Sequence, residues 1–140
     1  MVEVNNKTRS KINLALVNKA ASKFLLKHKL SNQQVSIVFV GDSLIRSLNK
    51  QYRKIDKITD VLSFCDKESV ILQKNFLGEI IIDFQQIKRQ AKSLKHSVQE
   101  ELIYILVHGL LHLAGHDHKT AQQSAKMDKL AAQFITNLKL

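Results

Sequence analysis

Apolar residues recur along this chain with two periods, and the switches between them mark out its elements. Over residues 7–28, Ile12, Leu16, Ala20 and Phe24 stand four apart while Lys11, Lys19, Lys23 and Lys27 fall off that stripe, so the spacing predicts an amphipathic helix. Ser31-Asn32 marks a turn. The β-branched run Val35 to Val40 reads as a strand, and Gly41 stops it. Asp42 or Ser43 is expected to cap a helix reaching about Tyr52, with a charged loop over 53–58. Val61 to Phe64 reads as a short strand and 65–75 as a loop or edge hairpin. Leu77 to Phe84 has so few polar breaks that both faces of the strand should be covered. Three more helices are expected. One covers about 85–93. One runs from a Ser97 cap, with Glu100 as capping-box partner, to His112 or Leu113. The last covers about 120–138, with Ala121, Leu130, Phe134 and Leu138 toward the core. The pattern amounts to one α+β domain over 1–140, a small mixed sheet packed with about five helices.

Chemistry concentrates at the end of the fourth helix, in His108-Gly-Leu-Leu-His112-Leu-Ala-Gly115-His116-Asp117-His118. Residues four apart share a helix face, so His108 and His112 can share one metal ion. Gly115 can take the left-handed turn that ends a helix and brings His118 back toward them. Three imidazoles and one open position describe a catalytic zinc site. The spacing matches the long zincin motif, except that Gly109 stands where that motif carries its general-base glutamate. A metal scaffold without that carboxylate points to a zinc hydrolase that is not an ordinary peptidase. His116 points differently from its neighbours and is the lesser ligand candidate; His28 and His96 stand isolated and read as surface residues.

The His108 to His118 run resembles the signature of the YbeY family, metal-dependent endoribonucleases linked to bacterial ribosomal RNA maturation. Three further blocks resemble the family's in order: Leu48-Asn-Lys-Gln-Tyr-Arg53, Thr59-Asp-Val-Leu-Ser-Phe64 and Leu77-Gly-Glu-Ile-Ile-Ile82. Two positions depart, Cys65 where a proline is common and His116 where an aromatic residue is common. The resemblance spans about residues 35–118. It implies a single-strand-specific endoribonuclease that acts in 16S 3′-end processing and ribosome quality control. It further implies one zinc ion per chain on His108, His112 and His118, single-stranded ribosomal RNA as substrate, and the small ribosomal subunit as partner. It marks Arg53 as the family's functional arginine, expected to hold the scissile phosphate or stabilise its developing charge, with Lys54 and Lys57 extending the contact.

Charge supports an anionic partner. The net charge is +10, and residues 1–57 carry 12 Lys and Arg against 3 Asp and Glu, while residues 58–140 carry 10 against 9. A basic half beside a near-neutral metal-site half suits a polyanion held by one part and processed by the other; solvated lysine-rich helix faces give the same count. Lysines outnumber arginines 18 to 4, which favours loose phosphate attraction over base readout. No apolar run approaches 18 residues and the N-terminus lacks a signal peptide's apolar core, so no membrane span and a cytoplasmic location are expected. Cys65, the single cysteine, cannot form an internal disulfide and reads as a small buried hydrophobe.

The general base is not legible. Asp117 reads equally as a turn residue or as an orienter of an imidazole or the attacking water. Glu79 and Asp83 share a strand face, as proton acceptors or as lysine partners, and Ser63 lacks an adjacent base. Two other function classes stay open: an RNA-binding ribosome assembly factor with a structural zinc, and a zinc hydrolase of another anionic substrate. The sequence leaves the oligomeric state open.

Overall fold

In a computed structural model the described residues are 1–65 and 75–138. Nine elements follow one another among them: β1 (Val2–Asn6), α1 (Leu14–Lys27), β2 (Gln34–Val40), α2 (Asp42–Arg53), β3 (Val61–Cys65), β4 (Phe76–Asp83), α3 (Phe84–Leu94), α4 (Val98–Leu113) and α5 (Ala121–Leu138). The loop or hairpin expected over 65–75 lies, apart from its two end residues, outside the described residues.

The four strands form one mixed sheet in the order β1-β2-β4-β3. β1, β2 and β4 run parallel, and β3 is an antiparallel edge strand paired with β4, Ser63 opposite Ile80. The architecture is the expected α+β mixture. On one face Ile37, Phe39, Ile80 and Ile82 join Phe24, Leu106, Leu110 and Phe134 in the main core. On the other, Val40, Leu62, Phe64 and Ile81 pack with Ile45 of α2 in a smaller cluster. Both faces of β4 are therefore buried, as its nearly unbroken apolar run requires.

Four local readings need correction. The first helix does not begin at residue 7: Val2–Asn6 is a strand with alternating half-buried and exposed residues, and Asn13 caps a helix beginning at Leu14 by accepting from Leu16 N. Neither Asp42 nor Ser43 caps α2. Gly41 holds that position without a side-chain bond, and Asp42 pairs with Arg89 across the fold. Ala121 is exposed, and Met127 and Ala131 join Phe134 and Leu138 in the core instead. Cys65 is only partly buried, as an edge-strand residue against the core. Ser97 does cap α4, accepting from Glu100 N at 3.0 Å.

Candidate active site

Two glycines, one on α4 and one on the sheet, let that helix press closely on β3 and β4. A Cβ on Gly78 of β4 would come 2.4 Å from Phe64 O and 2.7 Å from Leu113 Cδ2, so only glycine allows this approach. A Cβ on Gly109 would already touch Ile80 and Ser63 Oγ at 3.3 Å. The outer edge of β3 and the exposed flank of α4 then bound a cleft of about 390 Å³, lined among others by Arg53, Asp60, Ser63, His108, His112 and His118. The catalytic candidates Arg53, His108, His112 and His118 thus share one cavity.

α4 ends as its sequence suggested. Gly115 takes a positive φ of 102°, its N–H donates to His112 O, and His116 N–H donates to Leu111 O. The chain turns back and sets the His118 ring 6.0 Å from the His112 ring, centroid to centroid. With zinc–nitrogen bonds of about 2.0–2.1 Å, two imidazoles at this separation can reach one ion. Asp117 accepts from His118 N–H at 2.7 Å, a bond that holds its carboxyl below the usual range and fixes the turn rather than a ring.

His108 is turned elsewhere. Its Nδ1 lies 3.0 Å from Tyr104 O, its Nε2 lies 3.0 Å from Asp128 Oδ1, and the same Asp128 oxygen accepts from Tyr104 OH at 3.0 Å. The Tyr104 ring lies against the imidazole, tilted by 48° with centroids 4.3 Å apart. Burial, and then the Asp128 carboxylate, push the Tyr104 phenol up to about 12. Among the described residues no three His, Cys, Asp or Glu side chains converge on one point. His108 joins the other two imidazoles only by rotating away from Asp128. The donor set itself, three imidazoles lining one cleft, suits zinc.

Arg53 enters the cleft from the end of α2. α2 ends there because Lys54 takes the left-handed conformation, and the buried Asn49 side chain pins the next loop by donating to Lys57 O at 3.0 Å. The Arg53 guanidinium lies 4.7 Å from the centre of the Phe64 ring and donates through Nη2 to Ser63 O at 2.8 Å. A guanidinium fixed in orientation at a cleft rim is prepared for a phosphate.

The remaining candidates fall outside the cleft lining. His116 lies near His28, whose pKa is lowered by burial, then by Lys27 and His116. His28 stacks on Phe24 at 4.1 Å, and His96 bonds to the buried Glu101 at 2.9 Å, so neither is the free surface residue that its isolation suggested. Glu79 is half-buried in β4. Asp83 is wholly buried and caps α3 by accepting from Gln85 and Gln86 N–H groups, beside Asp42 rather than a lysine. Sequence reasoning missed three residues. Asp60 sits inside the Thr59 to Phe64 block and could have been weighed; Tyr104 shares the His108 stripe. Asp128, twenty residues beyond His108, left no local signal.

A family profile described as Endoribonuclease YbeY matches residues 2–139. A protein named Endoribonuclease YbeY from Sulfurihydrogenibium sp. (strain YO3AOP1) is 37% identical over 125 residues, covering 89% of this chain and 82% of that relative. Its namesake from Pelotomaculum thermopropionicum is 40% identical over 111 residues, covering 76% and 73%. The solution structure of TM1509 from Thermotoga maritima superposes with a TM-score of 0.70 at 23% identity, over 99% of this chain and 89% of that one, a likeness of fold. With the profile spanning nearly the whole sequence, this chain belongs to the Endoribonuclease YbeY family.

Proposed function

We propose that this chain, acting as one domain, is a metal-dependent endoribonuclease of ribosomal RNA processing. The observation that carries the reading is the cleft that His108, His112 and His118 line together with an oriented arginine, Arg53. His112 and His118 are the first pair of metal ligands and His108 the third. These imidazoles would hold a zinc ion, which when bound would supply Lewis-acid catalysis and lower the pKa of a nucleophilic water. Arg53 orients the scissile phosphate and stabilises the charge that develops on its oxygens. Tyr104 and Ile105 add an aromatic and an aliphatic side chain to the cleft lining. The proposal extends to one zinc ion per chain, single-stranded RNA as substrate, the 3′ end of 16S RNA as the processed site, quality control on the small subunit, and a cytoplasmic setting. No described helix is long and apolar enough to cross a membrane.

Arg53→Ala tests the division of labour. The variant should keep its metal, measured by elemental analysis, and lose cleavage about 10²–10³-fold, the size expected when one preorganised charge-stabilising donor is removed. Normal turnover in a metal-replete Arg53→Ala sample would remove the arginine from the mechanism.

A further inference from the structure

One carboxylate in the cleft has no part in that mechanism. Asp60 lines it from the position just before β3, and a phosphate-rich substrate is repelled by a carboxylate. Placing one in the path of a polyanion weakens binding unless the substrate offers it a hydrogen-bond donor.

The Asp60 side chain is held by a chain of partners behind it. Gln90 Nε2 donates to Asp60 Oδ2 at 3.2 Å and to Glu101 Oε2 at 2.7 Å. Gln86 Nε2 donates to Gln90 Oε1 at 3.2 Å, which fixes the Gln90 amide with its nitrogen toward the two carboxylates. Glu101, only 2% exposed near the start of α4, meets His96 Nε2 through its other oxygen at 2.9 Å. The Thr59 hydroxyl donates to Asp60 Oδ1 at 3.4 Å. These partners are neutral side chains, apart from Glu101 and the histidine at the far end, so the carboxylate is oriented without being covered by a salt bridge to lysine or arginine among them. The sheet does not depend on this side chain, because Asp60 joins β4 through its backbone oxygen, which accepts from Asp83 N–H at 2.9 Å.

Position selects the donor. Asp60 immediately precedes β3, three residues before Ser63, whose carbonyl holds Arg53, a backbone separation of roughly 10 Å at the rise of a strand. A separation of that size suits a group on the nucleotide next to the phosphate on Arg53. The lining between them is largely apolar, Val61, Leu62 and Ile105. The donor that every ribonucleotide carries, and deoxyribonucleotides lack, is the 2′-hydroxyl. We infer that Asp60, positioned by Gln90 and Glu101, accepts a hydrogen bond from the ribose 2′-hydroxyl of a nucleotide flanking the cleavage site, and so selects RNA. The inference rests on the ribonuclease reading and names the group that reads the sugar.

A short RNA with one mapped cleavage site is the test, made as a set with a single 2′-deoxy substitution at each flanking position in turn. The cleaved nucleotide is left out of the comparison because its own hydroxyl is a candidate nucleophile. In the wild-type protein one flanking substitution should lower kcat/KM by about ten- to a hundredfold, the size of a lost hydrogen bond to a charged group. Asp60→Ala should begin near that lower value, be indifferent to the same substitution, and keep its metal content. Gln90→Ala should show an intermediate loss that Gln90→Asn does not relieve, since the shorter amide cannot span both carboxylates. An Asp60→Ala protein as sensitive to every substitution as the wild type would overturn the assignment, as would loss of metal, which would make Asp60 a ligand. If the wild-type protein cuts no RNA, the ribonuclease reading itself fails, a separate outcome.

Discussion

A Cβ on Gly109 would meet two atoms of Ile80 and Ser63 Oγ, each at 3.3 Å. Two effects oppose each other in Gly109→Ala. Alanine gains about 0.8–1.0 kcal/mol of helix propensity over glycine, while overpacking a close-fitted contact costs about 1–3 kcal/mol. The second should prevail, because Ile80 is fully buried in the sheet and has little room to retreat. We expect a loss of roughly 1 kcal/mol, read as a lower urea midpoint with an unchanged slope; a raised midpoint would show that α4 yields freely. The same contact explains why the zincin glutamate is missing, since a side chain at 109 would have to enter the floor of the cleft. Gly115 and the His112–His118 approach were legible because local spacing and one glycine specify them. The Asp128 hold on His108 was not, because it joins two helices that meet only after folding.

Helices announced themselves better than the edge of the sheet. The segments that became α4 and α5 carried clear apolar stripes, and Ser97 capped where a serine should. β1 escaped notice because its five residues alternate between half-buried and exposed, and its parallel partner lies more than 30 residues away, across α1. Asp83 was misjudged for a related reason: strand periodicity put it on a face, whereas it ends β4 and caps α3. Burial first, and then the neighbouring Asp42 carboxylate, push its pKa up to about 7. The Arg89 side chain that bonds Asp42 holds the latter's carboxyl below the usual range. A raised carboxyl favours the folded state while protonated, so this group's contribution is complete below about pH 4 and is lost as pH rises through about 7. Asp83→Asn keeps a capping acceptor and cannot ionise. Its stability should be flatter than the wild type's between pH 4 and 7 and should exceed it at pH 8; parallel curves would show that Asp83 ionises without cost.

Over the whole molecule, five of the twelve basic residues in 1–57 gather on α2 and the loop after it, and one of them, Arg53, lines the cleft. Arg46, Lys50, Arg53, Lys54 and Lys57 all belong to α2 or the loop after it, which leads into β3. Binding of a single-stranded RNA should weaken with salt, and removing one lysine that neutralises a phosphate should make the log–log slope shallower by about 0.7. Lys50→Ala with Lys54→Ala should shift affinity and slope together while leaving metal content intact; an unchanged slope would confine the RNA to the other side of the cleft. Net charge and motif spacing thus indicated a polyanion-processing enzyme. The cleft itself was not legible, because it exists only where edge strand β3, the end of α2 and the glycine-fitted α4 come together. Everything at this scale turns on whether the histidines in the cleft hold a metal that cuts RNA. The decisive comparison sets zinc-loaded wild-type protein beside identically purified His112→Ala on structured ribosomal RNA, with metal content measured in both. Cleavage and bound metal are expected in the first and neither in the second; equal cleavage by the two would refute the metal's role.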